Sequence, residues 1–265
     1  MLKALLARAH QKYRTVGFPD QPPVLPDRLR GRPEIDAAKC PDGCRVCAGV
    51  CPTDAITVNA KGVKLDLGRC LFCPECERAC PEGAIRYTTE YRLAGSSREA
   101  LVGTACWSSE AAPRGPAGME FQLAKALDDK ARRLFGRSLK LRQVSAGGCN
   151  GCEADVNVLN TVVFDLGRFG IQFVASPRHA DGLLITGPVT ANMESALRQT
   201  YEAIPSPKLV IAVGACAISG GPYLGHAEQR NGADGIVPVD LYIPGCPPHP
   251  ITILDGLLRL LGRMD

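Results

Sequence analysis

The stretch "KLVIAVGACAISGG", residues 208–221, decides how the second half of this chain folds. Its "LVIAV" core is apolar at every position, so both faces of the strand it forms are buried, as in the middle of a parallel sheet covered by helices on each side. A glycine and Cys216 follow directly, which puts a thiol just past the carboxyl end of that strand. Working outward, "SLKLRQVS" (138–145), "IQFVAS" (171–176), "GLLITG" (182–187) and "VDLYIPG" (239–245) read as further strands. Between them, "EADVNVLNTVVFDLGRFG" (153–170), "NMESALRQTYEAI" (192–204) and "PITILDGLLRLLGR" (250–263) read as helices. Strands alternating with helices predict an α/β domain with a mostly parallel sheet.

The cysteines of this half fall in loops after strands. Cys149 and Cys152 follow "LRQVSAGG", Cys216 follows "LVIAVGA", and Cys246 follows "DLYIPG". In an open parallel sheet all carboxyl ends point to one edge, where ligands bind. Three distant segments can therefore meet there as four thiolates around one centre. Gly147, Gly148, Gly151, Gly214, Gly220, Gly221 and Gly245 lie beside them. Without a Cβ, such residues let backbone approach the sulfurs, where N–H groups can bond them.

The first half carries an internal repeat. "CPDGCRVCAGVCP" (40–52) and "CLFCPECERACP" (70–81) place their last three cysteines 29 residues apart, as they do Pro52 and Pro81. The Ala55-Ile56 and Ala84-Ile85 pairs keep the same offset, which marks a duplicated supersecondary unit. In the spacing C-x2-C-x2-C-x3-C-P, three close thiolates wrap one cubane, and the fourth, beside proline, is turned toward the other cluster. This pattern resembles a bacterial two-cluster ferredoxin. The resemblance implies that Cys40, Cys44, Cys47 and Cys80 hold one [4Fe-4S] cluster, and Cys70, Cys73, Cys76 and Cys51 a second. Cys40 and Cys44 are separated by three residues instead of two, and the turn sequence "PDG" can absorb the extra one. The competing reading is a pair of zinc knuckles, which lack the C-P ending and the crossed fourth ligand. "AITVN" (55–59) and "GVKLD" (62–66) alternate as a hairpin, and "AIRYTTEYRL" (84–93) reads as the matching strand after the second motif. So small a domain is held mainly by its metal.

In the second half, "GCNGCE", "VGACAISGG" and "IPGCPPHP" resemble the small subunit shared by [NiFe]-hydrogenases and respiratory complex I. The resemblance covers about residues 133–262. It implies a flavodoxin-like fold in which Cys149, Cys152, Cys216 and Cys246 hold a proximal [4Fe-4S] cluster beside a large subunit's active site. Complex I members carry adjacent cysteines at the first motif. "CNGC" is similar instead to the energy-converting, formate-hydrogenlyase-type hydrogenases of group 4. The first half looks like the two-cluster ferredoxin subunit of the same complexes, here fused to the small subunit.

The expected organisation is thus an N-terminal amphipathic helix and arm (1–33), an α+β two-cluster ferredoxin domain (34–93), a linker and helix (94–132), and the small-subunit-like α/β domain (133–265). Within the third part, Gly-, Ser-, Ala- and Pro-rich residues 94–118 read as a connection, and "MEFQLAKALDDKARRLF" (119–135) as a helix. Cys106, without a partner spacing, reads as a small buried hydrophobe. At the N-terminus, Leu2, Leu5, Leu6 and Ala9 share a helical face, with Lys3, Arg8, Lys12 and Arg14 at polar positions. Such a helix suits a membrane surface or a partner protein. Glu153 reads either as a proton-relay or interface acid, or as a helix-start acid favoured by the dipole. His249 reads either as a cluster neighbour or as a plain first-turn residue. Gly148, Gly151, Glu153 and His249 are the candidate cluster-lining residues beyond the cysteines.

Composition bounds the rest. The chain has 265 residues, 45% of them hydrophobic and only 5% aromatic, so aliphatics and glycine must fill the core. Thirteen cysteines without a visible secretory signal favour metal over disulfides. No apolar run reaches the roughly 18–20 residues that span a bilayer. The formal charge of +4 counts neutral thiols; three oxidised clusters with their thiolates would bring it to about −2, so no nucleic-acid partner is expected. No G-x-G-x-x-G or P-loop is present, nor, beyond the cluster motifs, a pair of C-x-x-C motifs of the kind that binds nickel in hydrogenase large subunits.

The resemblances together imply an electron-transfer subunit with three [4Fe-4S] clusters and no substrate-converting site of its own. It would link a formate dehydrogenase or ferredoxin-type donor to a [NiFe] large subunit, beside membrane antiporter-like subunits, peripherally on the cytoplasmic face of the inner membrane. The alternative is the same relay in a nickel-free, complex I-like quinone or ion-pumping oxidoreductase.

Overall fold

The computed structural model describes residues 2–41, 43–107, 119, 121–128, 134–135 and 138–264. Helix α1 (Leu2–Gln11) buries none of its residues. An arm follows and ties both halves together. Val16 N–H donates to Val163 O (2.9 Å), Arg168 donates to the carbonyls of Val16 and Phe18, and Gly31 N–H donates to Thr88 O (2.7 Å).

The ferredoxin half is then built from β1 (Pro33–Ile35), α2 (Val46–Gly49), β2 (Ile56–Asn59), β3 (Gly62–Asp66), α3 (Glu75–Ala79), β4 (Ile85–Tyr87) and β5 (Val102–Cys106). β2 and β3 form the expected antiparallel hairpin, Ile56 opposite Leu65. β4 pairs with β1, so only the first residues of the long strand expected at 84–93 are strand. β5 comes from the segment expected to be a connection. It pairs antiparallel with all of β3, from Gly62 opposite Cys106 to Asp66 opposite Val102. Its alternate residues Gly103 and Ala105 are buried, the period-2 burial that a half-covered strand requires. Residues 108–118 of that segment lie outside the described residues.

The helix expected at 119–135 is not formed over Phe121–Asp128, which is irregular. Its backbone bonds go to tertiary partners: Gln122 N–H to Ala100 O, Ala124 N–H to Ala94 O and Leu127 N–H to Leu260 O. The Phe121 ring packs on Gly103, where a Cβ would stand 2.6 Å from the ring, and beneath the Arg32 guanidinium. Local periodicity lost to these long-range partners. Residues 120 and 129–133 of the expected helix lie outside the described residues.

The second half contains β6 (Leu139–Ser145), α4 (Gly151–Val158), β7 (Ile171–Phe173), β8 (Gly182–Thr186), α5 (Ala191–Ala203), β9 (Leu209–Val213), α6 (Ala215–Ser219), β10 (Leu241–Ile243) and α7 (Pro250–Leu260). The sheet runs β10-β9-β8-β6-β7, with every pairing parallel. Every residue of β8 and β9 is buried. Leu183, Ile185, Val210 and Ala212 face one core, and Leu184, Ile211 and Val213 the other. The first core is continuous with that of the ferredoxin half, through Leu101, Ile218 and Tyr242. α4 stops at Val158, short of the helix expected to reach Gly170. Thr161, Val162 and Val163 are β-branched and poor helix formers, and the carbonyls of Val162 and Val163 bind the N-terminal arm instead.

The two halves are joined by buried polar bonds as well. Gly95 and Tyr242 exchange backbone hydrogen bonds (3.0 and 2.9 Å), and Ser219 Oγ donates to Gly68 O (2.9 Å). Within the ferredoxin half, beside this junction, Arg98 forks onto Asp66, whose Oδ1 also accepts from Gly68 N–H.

Candidate metal centres

In the ferredoxin half the eight motif cysteines divide between two small cavities. Cys40, Cys44, Cys47 and Cys80 line one, walled by Ile35, Val63 and Ile85. Cys51, Cys70, Cys73 and Cys76 line the other. Each cavity thus takes three thiols from one motif and the proline-side thiol from the other. The extra residue after Cys40 sits in a turn closed by Cys44 N–H on Pro41 O (3.1 Å), with Gly43 at φ +74°; Asp42 lies outside the described residues.

Backbone N–H groups aim at the sulfurs in both repeats. Ala55 N–H donates to Cys51 Sγ and Ala84 N–H to Cys80 Sγ, each at 3.2 Å, so the 29-residue offset holds atom for atom. Phe72 N–H donates to Cys70 Sγ (3.3 Å). Burial pushes the Cys47 thiol up to about 11, with the thiols of Cys40, Cys44 and Cys76 adding to it. Burial likewise pushes Cys70 up to about 12, with Cys76 and Cys51 adding. Such thiols ionise only when a metal compensates the charge, and binding then releases their protons.

At the carboxyl edge of the parallel sheet the four remaining motif cysteines converge. Cys149 and Cys152 flank the start of α4, where Asn150 adopts φ 70°. Cys216 lies in α6 and Cys246 follows β10. Burial pushes Cys216 up to about 12, and the thiols of Cys246 and Cys149 add to it. Cys152 is raised well above the ordinary thiol range by burial and by Cys216, Glu153, Cys246 and Cys149. Cys149 and Cys246 remain exposed.

Glycine admits the sulfurs at two positions. A Cβ on Gly214 (φ +89°) would collide with Cys152 Sγ, and one on Gly221 (φ +56°) would stand 2.7 Å from Cys216 Sγ. The other two glycine candidates differ. At Gly148 a Cβ would meet the Gly187 backbone at 3.0 Å, so this glycine lets the loops after β6 and β8 pack together. At Gly151 it would lie 3.6 Å from Cys149 Sγ, an ordinary contact.

Glu153 points inward. Its Oε1 accepts from Ser145 Oγ (2.6 Å) and Thr186 Oγ1 (2.7 Å), at the carboxyl ends of β6 and β8. Burial works to raise its pKa, but these hydrogen bonds outweigh it and leave the pKa below the usual range. Glu153 therefore braces the C-x-x-C turn against the sheet. Ser145 and Thr186 were not singled out from the sequence; their place as last residues of strands is the signal that marks them. His249 caps α7, its Nδ1 accepting from Ile251 N–H (3.2 Å). Burial holds its imidazole below the usual histidine range. It shares the walls of a cavity with Cys246, Phe72 and Asp155, at the junction of the two halves. Cys106 is only half-buried, at the end of β5, and joins none of the three thiol groups.

The residues present fit cubane clusters. Each group offers four soft thiols around a cavity or sheet edge. N–H groups are directed at sulfurs in the ferredoxin half, and glycine leaves room for them in the other. Among the described residues no three His, Cys, Asp or Glu side chains are drawn together as around a single ion; a cubane spreads its sulfurs more widely than one ion does.

Comparison with known proteins agrees. The family described as "NADH ubiquinone oxidoreductase, 20 Kd subunit" matches residues 149–260, and the "4Fe-4S dicluster domain" matches 39–84. The probable membrane-bound hydrogenase subunit mbhJ of Pyrococcus furiosus is 42% identical over 132 residues, half of this chain and 79% of that protein. The chain belongs to this family. Formate hydrogenlyase subunit 7 of Escherichia coli is 46% identical over 49% of this chain and 51% of its own length; the chain spans about half of that relative. An NADH-quinone oxidoreductase subunit of Heliobacterium modesticaldum is 40% identical over 45% of this chain and 69% of its own. The chain is therefore an iron–sulfur member of the oxidoreductase subunits shared by hydrogenases and complex I, with a ferredoxin-type domain ahead of an α/β domain. No helix among the described residues is long and apolar enough to cross a membrane.

Proposed function

We propose that this chain relays electrons through three [4Fe-4S] clusters between a redox donor and the [NiFe] large subunit of a membrane-associated, group 4-type hydrogenase. The observation that carries the reading is the order of the thiols. Cys47 of the first group lies on α2, which packs against α3 and its Cys76 of the second, and Cys246 of the third lines one cavity with Phe72, the residue before Cys73 of the second. The groups thus form a line, first to second to third. Cys40, Cys44, Cys47 and Cys80 hold the first cluster, Cys51, Cys70, Cys73 and Cys76 the second, and Cys149, Cys152, Cys216 and Cys246 the proximal one.

When bound, a [4Fe-4S] cluster supplies a one-electron couple tuned by its surroundings. The chain's residues ligate, exclude water and fix spacing. The shared core and the Gly95–Tyr242 and Ser219–Gly68 bonds hold the second and third groups at a constant separation. Exposure of Cys149 and Cys246 leaves a face for the large subunit to cover. Counted within the sheet, the strand order is 2-1-3-4-5, which supports a flavodoxin-like domain over 133–265. The ferredoxin domain is residues 34–93 with β5 added, and 1–33 is an arm. The exposed leucines of α1 and its lack of acidic residues support a peripheral place on the cytoplasmic face of the inner membrane, beside antiporter-like subunits. The donor is a formate dehydrogenase or ferredoxin-type protein, and no substrate is converted on this chain.

Nickel analysis and H2 assay of the purified complex test the far end of the relay. Stoichiometric nickel with H2 activity is expected. Absence of both would favour a second reading, a nickel-free quinone or ion-pumping module, which the match to a quinone oxidoreductase subunit supports.

A further inference from the structure

The two ferredoxin cavities are related by the 29-residue repeat, yet their polar surroundings differ. Tyr87 Oη donates to Cys73 O (2.6 Å) and stands 3.9 Å from Cys76 Sγ. Thr53 Oγ1 donates to Arg69 O (2.8 Å) and stands 3.9 Å from Cys51 Sγ. Both sulfurs belong to the second group. Thr53 is buried and Tyr87 half-buried, with its backbone N–H fixed on Glu77. One repeat away, the first group has Val58 where the second has Tyr87. At the position matching Thr53 it has Glu82, which is exposed. Among the described residues no hydroxyl hydrogen bond to a sulfur of the first group is seen.

We propose that Tyr87 and Thr53 raise the reduction potential of the second cluster relative to the first, favouring electron flow inward. This rests on the reading that Cys51, Cys70, Cys73 and Cys76 hold a cluster. Each hydroxyl has one proton, given to a backbone carbonyl that can only accept. Rotation about the C–O bond can swing that proton toward the sulfur. Reduction adds negative charge to the cluster and its thiolates, so the rotation stabilises the reduced form. Little water competes in so buried a site, and hydrogen bonds to sulfur are among the factors that set cluster potentials. Val58 offers no proton to make the same response at the first cluster. Tyr87 and Thr53 are positioning residues; they do not carry the electron.

The test is an EPR-monitored redox titration of the whole chain with all clusters loaded. Tyr87→Phe and Thr53→Val should each lower the midpoint of the second cluster by about threefold in electron partition, roughly 28 mV at 59 mV per tenfold. The other two midpoints should stay put, and Thr53→Ser should keep the wild-type value. Unchanged midpoints in Tyr87→Phe and Thr53→Val, or a Thr53→Ser shift equal to that of Thr53→Val, would overturn the proposal. If Thr53→Val does not fold, pulsed ENDOR of the wild type decides. An exchangeable proton coupled to the reduced second cluster, absent in Tyr87→Phe, supports it; no such proton overturns it. Failure of the underlying reading looks different: the wild type would show no second cluster signal at all.

Discussion

The ferredoxin half and the sheet half both gather cysteines, but by opposite routes. In the first, all eight thiols lie between Cys40 and Cys80, and short repeated spacings bring them together. In the second, four thiols between Cys149 and Cys246 meet only because β6, β9 and β10 end at the same edge. The first site is written in local spacing; the second is written in topology. A local site should survive damage to the distant fold, whereas a topological site should not.

The largest expected effect tests that difference by deletion. Cys246→Ser should remove one cluster signal, leave the two ferredoxin signals, and abolish electron delivery to the large subunit; survival of all three signals with turnover would refute the ligand set. The crossed arrangement makes a sharper test. Cys80→Ser should perturb the cluster of Cys40, Cys44 and Cys47, and spare that of Cys70, Cys73 and Cys76 even though it stands in their motif. EPR of each variant checks both.

Next in size is damage to the sheet half alone. Asp255 and Arg259 form an ion pair on α7, buried on both sides (2.9 Å). Burial pushes the Asp255 carboxyl up and Arg259 opposes that push. Arg259→Ala leaves a buried carboxylate without that partner and should cost about 3–5 kcal/mol. In thermal melts followed by visible absorbance and EPR, the proximal signal should fade before the ferredoxin signals. Simultaneous loss of all three would mean that the continuous core makes the halves one cooperative unit. Glu153→Ala is gentler. It strands the Ser145 hydroxyl and leaves that of Thr186 only its long bond to Val144 O (3.4 Å), and should cost about 1–3 kcal/mol, with a broadened proximal signal as the spectroscopic mark.

The same contrast explains what the sequence made legible. The doubled cysteine motif, the β2–β3 hairpin and the apolar strands β8 and β9 follow from spacing and periodicity. β5 did not, because Val102–Cys106 sits in a Gly- and Ser-rich stretch and becomes a strand only by pairing with β3. The helix expected around Phe121–Asp128 failed for a like reason: its backbone bonds go to Ala94, Ala100 and Leu260. Glu153 read as a relay or interface acid, or as a helix-start acid. The structure turns it inward to Ser145 and Thr186, whose proximity only the parallel register of β6 and β8 creates. Cys106, read as buried, is half-buried at the end of the strand it was not expected to join.

Iron and acid-labile sulfide analysis of the anaerobically purified chain tests the central claim most directly. The three-cluster relay predicts about twelve iron and twelve sulfide per chain, with zinc absent. Zinc without labile sulfide, or about eight iron with Cys149, Cys152, Cys216 and Cys246 all open to alkylation, would contradict it.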